Sequence, residues 1–600
     1  MYLVLIETSG NQNYIFSTNK LKENFGASEL TYQAGTEWVL QAIEQTTNIR
    51  LRSNSYSLRQ TLLNSKQNLP IDQTDTPVEI IIATSGKAIL ITKEKEIAKN
   101  IIKQVTLKAL REAPGLDICG VFKKFDWEQE NIGEINRYLH NQFKQVHSQI
   151  PGQEMRFQRL PVVDECATSG LPAAKIEPDV EQNLVLRSTV SRSKRRTAST
   201  AFQRIQELLI RNQVNVNFAR SLRVLDKEFQ DISSDTVDNY THRPIDWLAV
   251  VHADGNGLGE IILKFDEHLK KLNRNTNRDY INYLRAFSIA LDICTERAFI
   301  KALATFEDFT NNNSKNHSEA TVSQLIPVIP LVLGGDDLTV VCAGKYAIKF
   351  TQSFLREFEI QTTQAIDDLG EYKNIIPEIA GEALGVKRLS ACAGIAIIKA
   401  HFPFYLAYEL AADLMASAKE VKKKLQHPQK DTPFPCSALD FHILYDSSGV
   451  DLKQIRQKLQ LNKNQTRLYG RPLIVTPQKQ LTSATSTGVQ WADKHRWEEF
   501  EMRVRSLHQT DKLEKKPLLP NSQMHDIRSS LFFGKDGADA QLKLIWERYK
   551  SLGLCNLVAD IQQPSLFWQE QAEAEQPINV TGFLDAMDAA DFFLGKIWED

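Results

Sequence analysis

The stretch from Leu325 to Ala343 restricts the fold of this chain more than any other. An apolar run (Leu325, Ile326, Val328, Ile329, Leu331, Val332, Leu333) climbs to Gly334-Gly335-Asp336-Asp337, and a second run, Leu338 to Cys342, comes back. Short apolar runs joined by Gly and Asp predict a β-hairpin. Two adjacent carboxylates at its tip repel each other unless a cation sits between them, and oxygen ligands of this kind suit Mg²⁺ or Mn²⁺. The competing reading is a solvated turn, since Gly and Asp are common turn residues. A metal site needs a third ligand from elsewhere.

The order of elements before the hairpin occurs twice. In the first half, a strand at Tyr2–Glu7 is followed by helical material, then strand Val78–Ala83, the turn Thr84-Ser85-Gly86-Lys87 and strand Ala88–Ile91. A helix from about Lys95 to Ala113, a strand at Ile118–Phe122 and an amphipathic helix near Ile132–Val146 complete that unit. In the second half, strand Trp247–Ala253 leads through helical material to the 334–337 tip. Helix Tyr346 to about Ile366, strand Leu389–Ile398 and helix Phe404–Lys424 follow. The gap from first strand to hairpin tip is about 80 residues in both, which predicts an internal duplication. Each half carries the ferredoxin-like β-α-β-β-α-β pattern of a nucleotidyltransferase palm. Ser-Gly-Lys in the first half stands where the second has Gly-Asp-Asp, so one half is disarmed.

The expected fold class is therefore α+β, with four parts: a degenerate first palm at 1–150, a linker at 151–244, a catalytic second palm at 245–428, and a mostly helical region at 429–600. The linker holds a lone Cys166 and a basic run, Arg187, Arg192, Lys194, Arg195 and Arg196. That run reads either as a solvated loop or as a phosphate contact. No aromatic residue interleaves it, so base stacking is not expected. Asn311-Asn312-Asn313 reads as an inserted surface loop. In the last part, helices are expected at Val489–Leu507 and Phe583–Trp598.

Asp254 closes the first strand of the armed half, and palm sheet order puts that strand beside the hairpin. With Asp336 and Asp337 it makes a carboxylate trio, the arrangement used around two metals for in-line displacement at phosphorus. Asp254-Gly255-Asn256-Gly257-Leu258-Gly259 then opens a helix, where Gly255, Gly257 and Gly259 let backbone N–H groups approach a phosphate. An EF-hand is excluded because Leu258 and Phe265 stand where oxygen ligands are needed. A dinucleotide-binding reading fails on glycine spacing. Lys419, in Ser417-Ala418-Lys419, faces the sheet if Ala412 and Met415 pack inward, and could hold a triphosphate as a point charge. A solvated lysine beside Lys422, Lys423 and Lys424 is the plainer reading.

These motifs, with Cys392-Ala393-Gly394-Ile395-Ala396, resemble the large polymerase/cyclase subunit of type III CRISPR effector complexes. The resemblance implies synthesis of cyclic oligoadenylates from ATP in antiviral defence. Asp254, Asp336 and Asp337 would be the catalytic metal ligands for Mg²⁺ or Mn²⁺. Gly255, Asn256, Gly257, Gly259, Gly334, Gly335 and Lys419 would bind nucleotide. It also implies effector subunits and guide or target RNA as partners, with stand-alone action or self-association as the other arrangement. Three departures stand out. Asn256 replaces a family Asp and removes one charge. The first palm strand starts at residue 2, so no HD-type nuclease activity is expected, and His525-Asp526 reads as part of a surface helix. Between the palms only Cys119 and Cys166 are candidates for a zinc site that wants four ligands, so zinc is not expected.

Composition narrows the alternatives without choosing among them. A net charge of −2 leaves nucleic-acid binding to local patches. Seven scattered cysteines without a CxxC pair read as reduced, and the first residues lack a signal-peptide pattern, so a cytoplasmic protein is expected. No apolar run reaches membrane-spanning length. Two rival functions remain open at this level: a diguanylate cyclase or templated polymerase using the same carboxylates, and a catalytically silent scaffold. Clustering three carboxylates without a use is costly, which weighs against the scaffold.

Overall fold

The computed structural model describes residues 1–51, 55–179, 182–214, 216–218, 247–306, 324–400, 402–428, 430–445, 451–461, 465–511, 516–571 and 577–593. The Asn311–Asn313 segment and the 244/245 boundary lie outside the described residues.

The first half runs β1 (Tyr2–Ser9), α1 (Leu21–Gly35), α2 (Ser55–Leu63), β2 (Val78–Thr84), β3 (Lys87–Thr92), α3 (Lys95–Glu112), β4 (Asp117–Lys124) and α4 (Ile132–His147). Its sheet has the antiparallel order β2-β3-β1-β4. After the linker helix α5 (Thr189–Arg211), the second half runs β5 (Trp247–Gly255), α6 (Leu258–Leu263), α7 (Asn277–Ala302), β6 (Val328–Gly334), β7 (Asp337–Ala343), α8 (Gly344–Gln361), α9 (Ile375–Leu384), β8 (Ala391–Lys399) and α10 (Phe404–Lys419). Its first four strands repeat the arrangement as β6-β7-β5-β8. Both are ferredoxin-like sheets.

The likeness extends to a defect. In each hairpin one residue is squeezed out of the ladder, Ile81 between Ile80 and Ile82 and Leu331 between Pro330 and Val332. Both bulges sit three residues before the last paired residue of their strand, Thr84 or Gly334. A bulge bends a strand and re-aims the residues beyond it, so the two tips are presented in the same way.

The sheet of the second half continues past residue 428. Strands β9 (Ala438–Ile443), parallel to β8, and β10 (Leu473–Ile474) join it as its fifth and sixth members. The rest of the C-terminal region is chiefly helical: α11 (Ser486–Lys494), α12 (Trp497–His508), α13 (Asn521–Ser530), α14 (Lys535–Tyr549) and α15 (Phe583–Ala589). The expected helix Val489–Leu507 is broken between Lys494 and Trp497, where the backbone N–H of Ile474 bonds the carbonyl of His495. The end of the expected helix Phe583–Trp598 lies outside the described residues. His525 and Asp526 are exposed on α13.

The basic run departs from the loop reading. It starts a 23-residue helix, α5, rather than a loop. Arg187 and Lys194 are buried. Arg187 and Arg195 face the buried Glu23, while Arg192 and Arg196 pair with Glu177 and Glu112. Gly26 permits this packing, since a Cβ there would lie 1.6 Å from the carbonyl oxygen of Lys194. Arg187 and Lys194 are thus withdrawn from solvent, while Arg196 stays exposed.

One apolar core runs through both palms, and α7 is the element they share. One side of α7 packs on α8 and β6. On its other side, Arg278 and Arg285 donate to the buried carboxylate of Glu79 on β2, at 2.7 and 2.6 Å. At a second junction the ring of Phe16 stacks on Tyr408 of α10, with centroids 3.8 Å apart.

Candidate metal and nucleotide site

The pairing of β7 with β5 sets Leu338 opposite Ala253, so the next residues outward, Asp337 and Asp254, meet at the same end of the sheet. Asp336 in the turn joins them. One carboxylate oxygen from each of Asp254, Asp336 and Asp337 lies within 4.8 Å of the other two, the one such acidic or thiol/imidazole cluster among the described residues. Gly255 makes room for this. A Cβ there would sit 2.8 Å from Cβ and Oδ2 of Asp336.

Burial, reinforced by the neighbouring Asp254, pushes the carboxyl of Asp336 up to about 7. Burial and Asp336 push that of Asp337 well above the usual carboxylate range. An all-oxygen donor set with surplus negative charge fits a hard divalent ion.

Lys419, the last residue of α10, ion-pairs with Asp254. The face it shares with Ala412 and Met415 is half-buried, at the edge of the packed stripe of α10, which is Ala407, Leu410, Ala411, Leu414 and Ala418. Gly394 on β8 sets the distance: a Cβ there would lie 2.0 Å from the carbonyl oxygen of Ala411 and 2.3 Å from the amide of Met415.

The other expected nucleotide-binding residues divide. Gly334 and Gly335 form the tip, Gly335 with φ +60°. Gly257 is also left-handed and precedes α6, a helix of only six residues that contains Gly259. The Asn256 side chain is already engaged, donating to Ser390 Oγ and the Cys436 carbonyl, each at 3.0 Å. It braces the start of β8 and takes no part in the carboxylate cluster.

A cavity of about 250 Å³ opens between the two hairpin tips. Gly334 to Asp337 line one side and Thr84 to Lys87 the other, with His252 and Tyr408 also on its wall. His252 Nδ1 meets Thr339 Oγ1 at 3.0 Å, and burial pulls its imidazole down to about 4, leaving it neutral.

Sequence reasoning missed the residues that hold the tip. Asp292 Oδ1 accepts from the Gly335 amide at 2.5 Å, and Thr295 Oγ1 donates to the Gly335 carbonyl at 2.6 Å. Both lie on α7. A signal was present: Asp292 and Thr295, three apart, interrupt the apolar run Ile289 to Phe299 with polar groups on one face.

Residues 247–426 match the family model described as Cas10/Cmr2, second palm domain. No curated protein matches the chain. Similar solved structures include a Type III-B Cmr-beta assembly in its apo state (TM-score 0.47, 11% identity, covering 98% of this chain and 81% of that one). Csm1 from T. onnurineus is another (0.48, 11%, 99% and 70%), as is a Csm1-Csm4 cassette in complex with cA3 (0.46, 10%, 99% and 70%). Among the described residues no helix is long and apolar enough to cross a membrane. The segment that carries Asp254, Asp336, Asp337 and Lys419 is thus the one that matches the second palm domain of the Cas10/Cmr2 family.

Proposed function

We propose that the chain is a divalent-metal-dependent nucleotidyltransferase that joins ATP units into cyclic oligoadenylates, with Mg²⁺ or Mn²⁺ held by Asp254, Asp336 and Asp337. The observation that carries this is the carboxylate trio, two of whose members, Asp336 and Asp337, line a cavity bounded on its far side by the first palm's hairpin. A bound divalent ion supplies charge neutralisation and a more acidic ribose 3′-hydroxyl. The protein's own contribution is placement. Gly255 lets Asp336 approach, and Lys419 offers a cation beside Asp254 for a triphosphate. The 3′-hydroxyl of one nucleotide then attacks the α-phosphorus of the next, and pyrophosphate leaves. The adenine preference, the cyclic product and a place in an RNA-guided assembly rest on the family resemblance.

The test is incubation of the purified chain with each labelled NTP and Mg²⁺ or Mn²⁺, beside Asp336→Ala/Asp337→Ala, with products resolved by mass. A cyclic oligoadenylate from wild type alone supports the proposal. A linear or guanine product redirects it to a polymerase or diguanylate cyclase. Absence of both product and metal-dependent ATP binding leaves a scaffold.

A further inference from the structure

The GGDD tip is held from outside its own hairpin, and the holding side chains lead into the first half of the chain. Gly335 has a left-handed backbone, and both of its peptide groups are engaged by α7, the amide by Asp292 and the carbonyl by Thr295. The residues beyond it are Asp336 and Asp337, so the position of Gly335 decides where both carboxylates lie. Asp292 is mostly buried and would be costly as a lone anion. Its Oδ2 lies 3.5 Å from the guanidinium of Arg59. That guanidinium also donates two bonds of 2.8 Å to Glu296, one turn further along α7. One cation therefore serves two carboxylates. Arg59 belongs to α2, which the sequence separates from the tip by the whole linker.

We propose that Arg59, Asp292 and Thr295 form a positioning relay through which α2 of the first half sets the geometry of the metal-binding tip. None of the three touches the reacting atoms, so they are positioning residues, and the proposal rests on the nucleotidyltransferase reading given above. Asp292 must be an acceptor at the tip and a carboxylate only because Arg59 is there to balance it. Thr295 locks the other side of the same residue, so the tip cannot swing about a single bond. Helix α2 thereby becomes a lever: whatever shifts it moves Gly335 and both carboxylates.

The experiment compares the full chain with Arg59→Gln, Thr295→Val and Arg59→Gln/Asp292→Asn/Glu296→Gln. The measurements are Gly335 amide hydrogen exchange, Mn²⁺ affinity by electron paramagnetic resonance, and kcat and KM for ATP. Partners one step removed from a metal are worth about 10–100-fold in affinity or activity. Arg59→Gln and Thr295→Val should accordingly weaken Mn²⁺ binding about tenfold, speed Gly335 exchange and lower kcat, with KM for ATP little changed. The triple variant should regain most of the loss, because the side-chain amide oxygen supplied by Asp292→Asn still accepts from Gly335 and no unpaired charge remains. Mn²⁺ affinity within about twofold of wild type in both first variants overturns the relay, even if exchange is faster. Should Arg59→Gln fail to fold, Thr295→Val, which removes no charge, decides the question. A wild-type chain that binds no Mn²⁺ overturns the metal reading itself, and Gly335 exchange then judges the relay separately: unchanged exchange overturns it, faster exchange in both variants upholds the mechanical link.

Discussion

The Lys87 ammonium lies 3.3 Å from the Glu7 carboxylate, and these two residues hold in the first palm the positions that Asp337 and Asp254 hold in the second. Glu7 pairs with Lys87 across the strands, and His140 Nε2 adds a contact to the same ammonium at 2.9 Å. The first palm thus keeps the carboxylate of its first strand but neutralises it with a built-in cation. Gly86 takes the place of Asp336, and a Cβ there would lie 2.2 Å from Thr8 Oγ1 at a φ of +68°. Sterics therefore oppose restoring the missing acid.

From this asymmetry, divalent-cation binding should reside wholly in the second palm. Mn²⁺ titration followed by electron paramagnetic resonance should show binding abolished by Asp336→Ala/Asp337→Ala and unchanged in number by Lys87→Met. A bound Mn²⁺ surviving in the double variant would contradict it.

Gly255→Ala should act on chemistry more than on folding. The new Cβ meets a single side chain at the site, Asp336, together with Leu258 Cδ1 at 2.4 Å. A stability loss of about 1–3 kcal/mol is expected from overpacking. Cation affinity should fall by about 10–100-fold as Asp336 is displaced. Urea unfolding alongside Mn²⁺ titration separates the two, and unaltered Mn²⁺ affinity would refute the role given to this glycine.

Gly394→Ala should have the opposite balance. Here the Cβ meets backbone of α10, at Ala411 and Met415, and backbone cannot rotate aside. We expect a destabilisation of about 1–3 kcal/mol or more, with Lys419 moved away from Asp254 as α10 lifts from the sheet. A variant as stable as wild type in thermal melts would show that α10 has freedom the close packing denies.

Lys419→Met removes the cation that pairs with Asp254 while keeping the apolar stem. On the proposed reading, KM for ATP should rise about tenfold, the equivalent of roughly 1.4 kcal/mol. Melting temperature should change little, since the pair is partly exposed. Steady-state kinetics at fixed free Mg²⁺ makes the measurement; an unchanged KM returns Lys419 to the solvated-lysine reading.

The C-terminal region should carry an acid-sensitive tie. Burial pushes the Glu570 carboxyl up, but hydrogen bonding and charge from His495, the charge of Arg467 and the Trp568 indole N–H outweigh it and hold it at about 2. The contacts are 2.8 Å to His495, 2.7 Å to Arg467 and 2.7 Å to Trp568. The unfolded chain thus takes up this proton first. The stabilisation is fully present above the ordinary glutamate range near 4.5 and is lost as pH falls from there toward 2. Glu570→Gln should therefore melt lower than wild type at about pH 7, with the gap narrowing below about pH 4.5. A gap independent of pH would rule the tie out.

Local patterns told most of what the palms are. Apolar runs of strand length, the Gly/Asp tip and the repeated order of elements predicted both ferredoxin-like sheets, because strand and helix periods are written in neighbouring residues. Asp254, Asp336 and Asp337 could be grouped from sequence because palm topology sets β5 against β7, and the carboxylates fall at the ends of those strands. The C-terminal boundary was less visible. Ala438–Ile443 reads as a short apolar strand, and nothing local says that it docks on β8.

Charge was where the sequence ran out. Arg187 and Lys194 look like surface residues and are buried; Asn256 looks like a site residue and is bonded to Ser390 and Cys436; Arg59 looks ordinary and reaches the tip through Asp292. The sequence by itself determined the two sheets, the tip and the identity of its carboxylates, since each depends on hydrophobic period and turn chemistry within a few residues. Only the tertiary structure decided which charges meet, because a buried ion pair is a property of two distant segments brought together, and the cost of leaving either partner alone is felt only once water has been excluded.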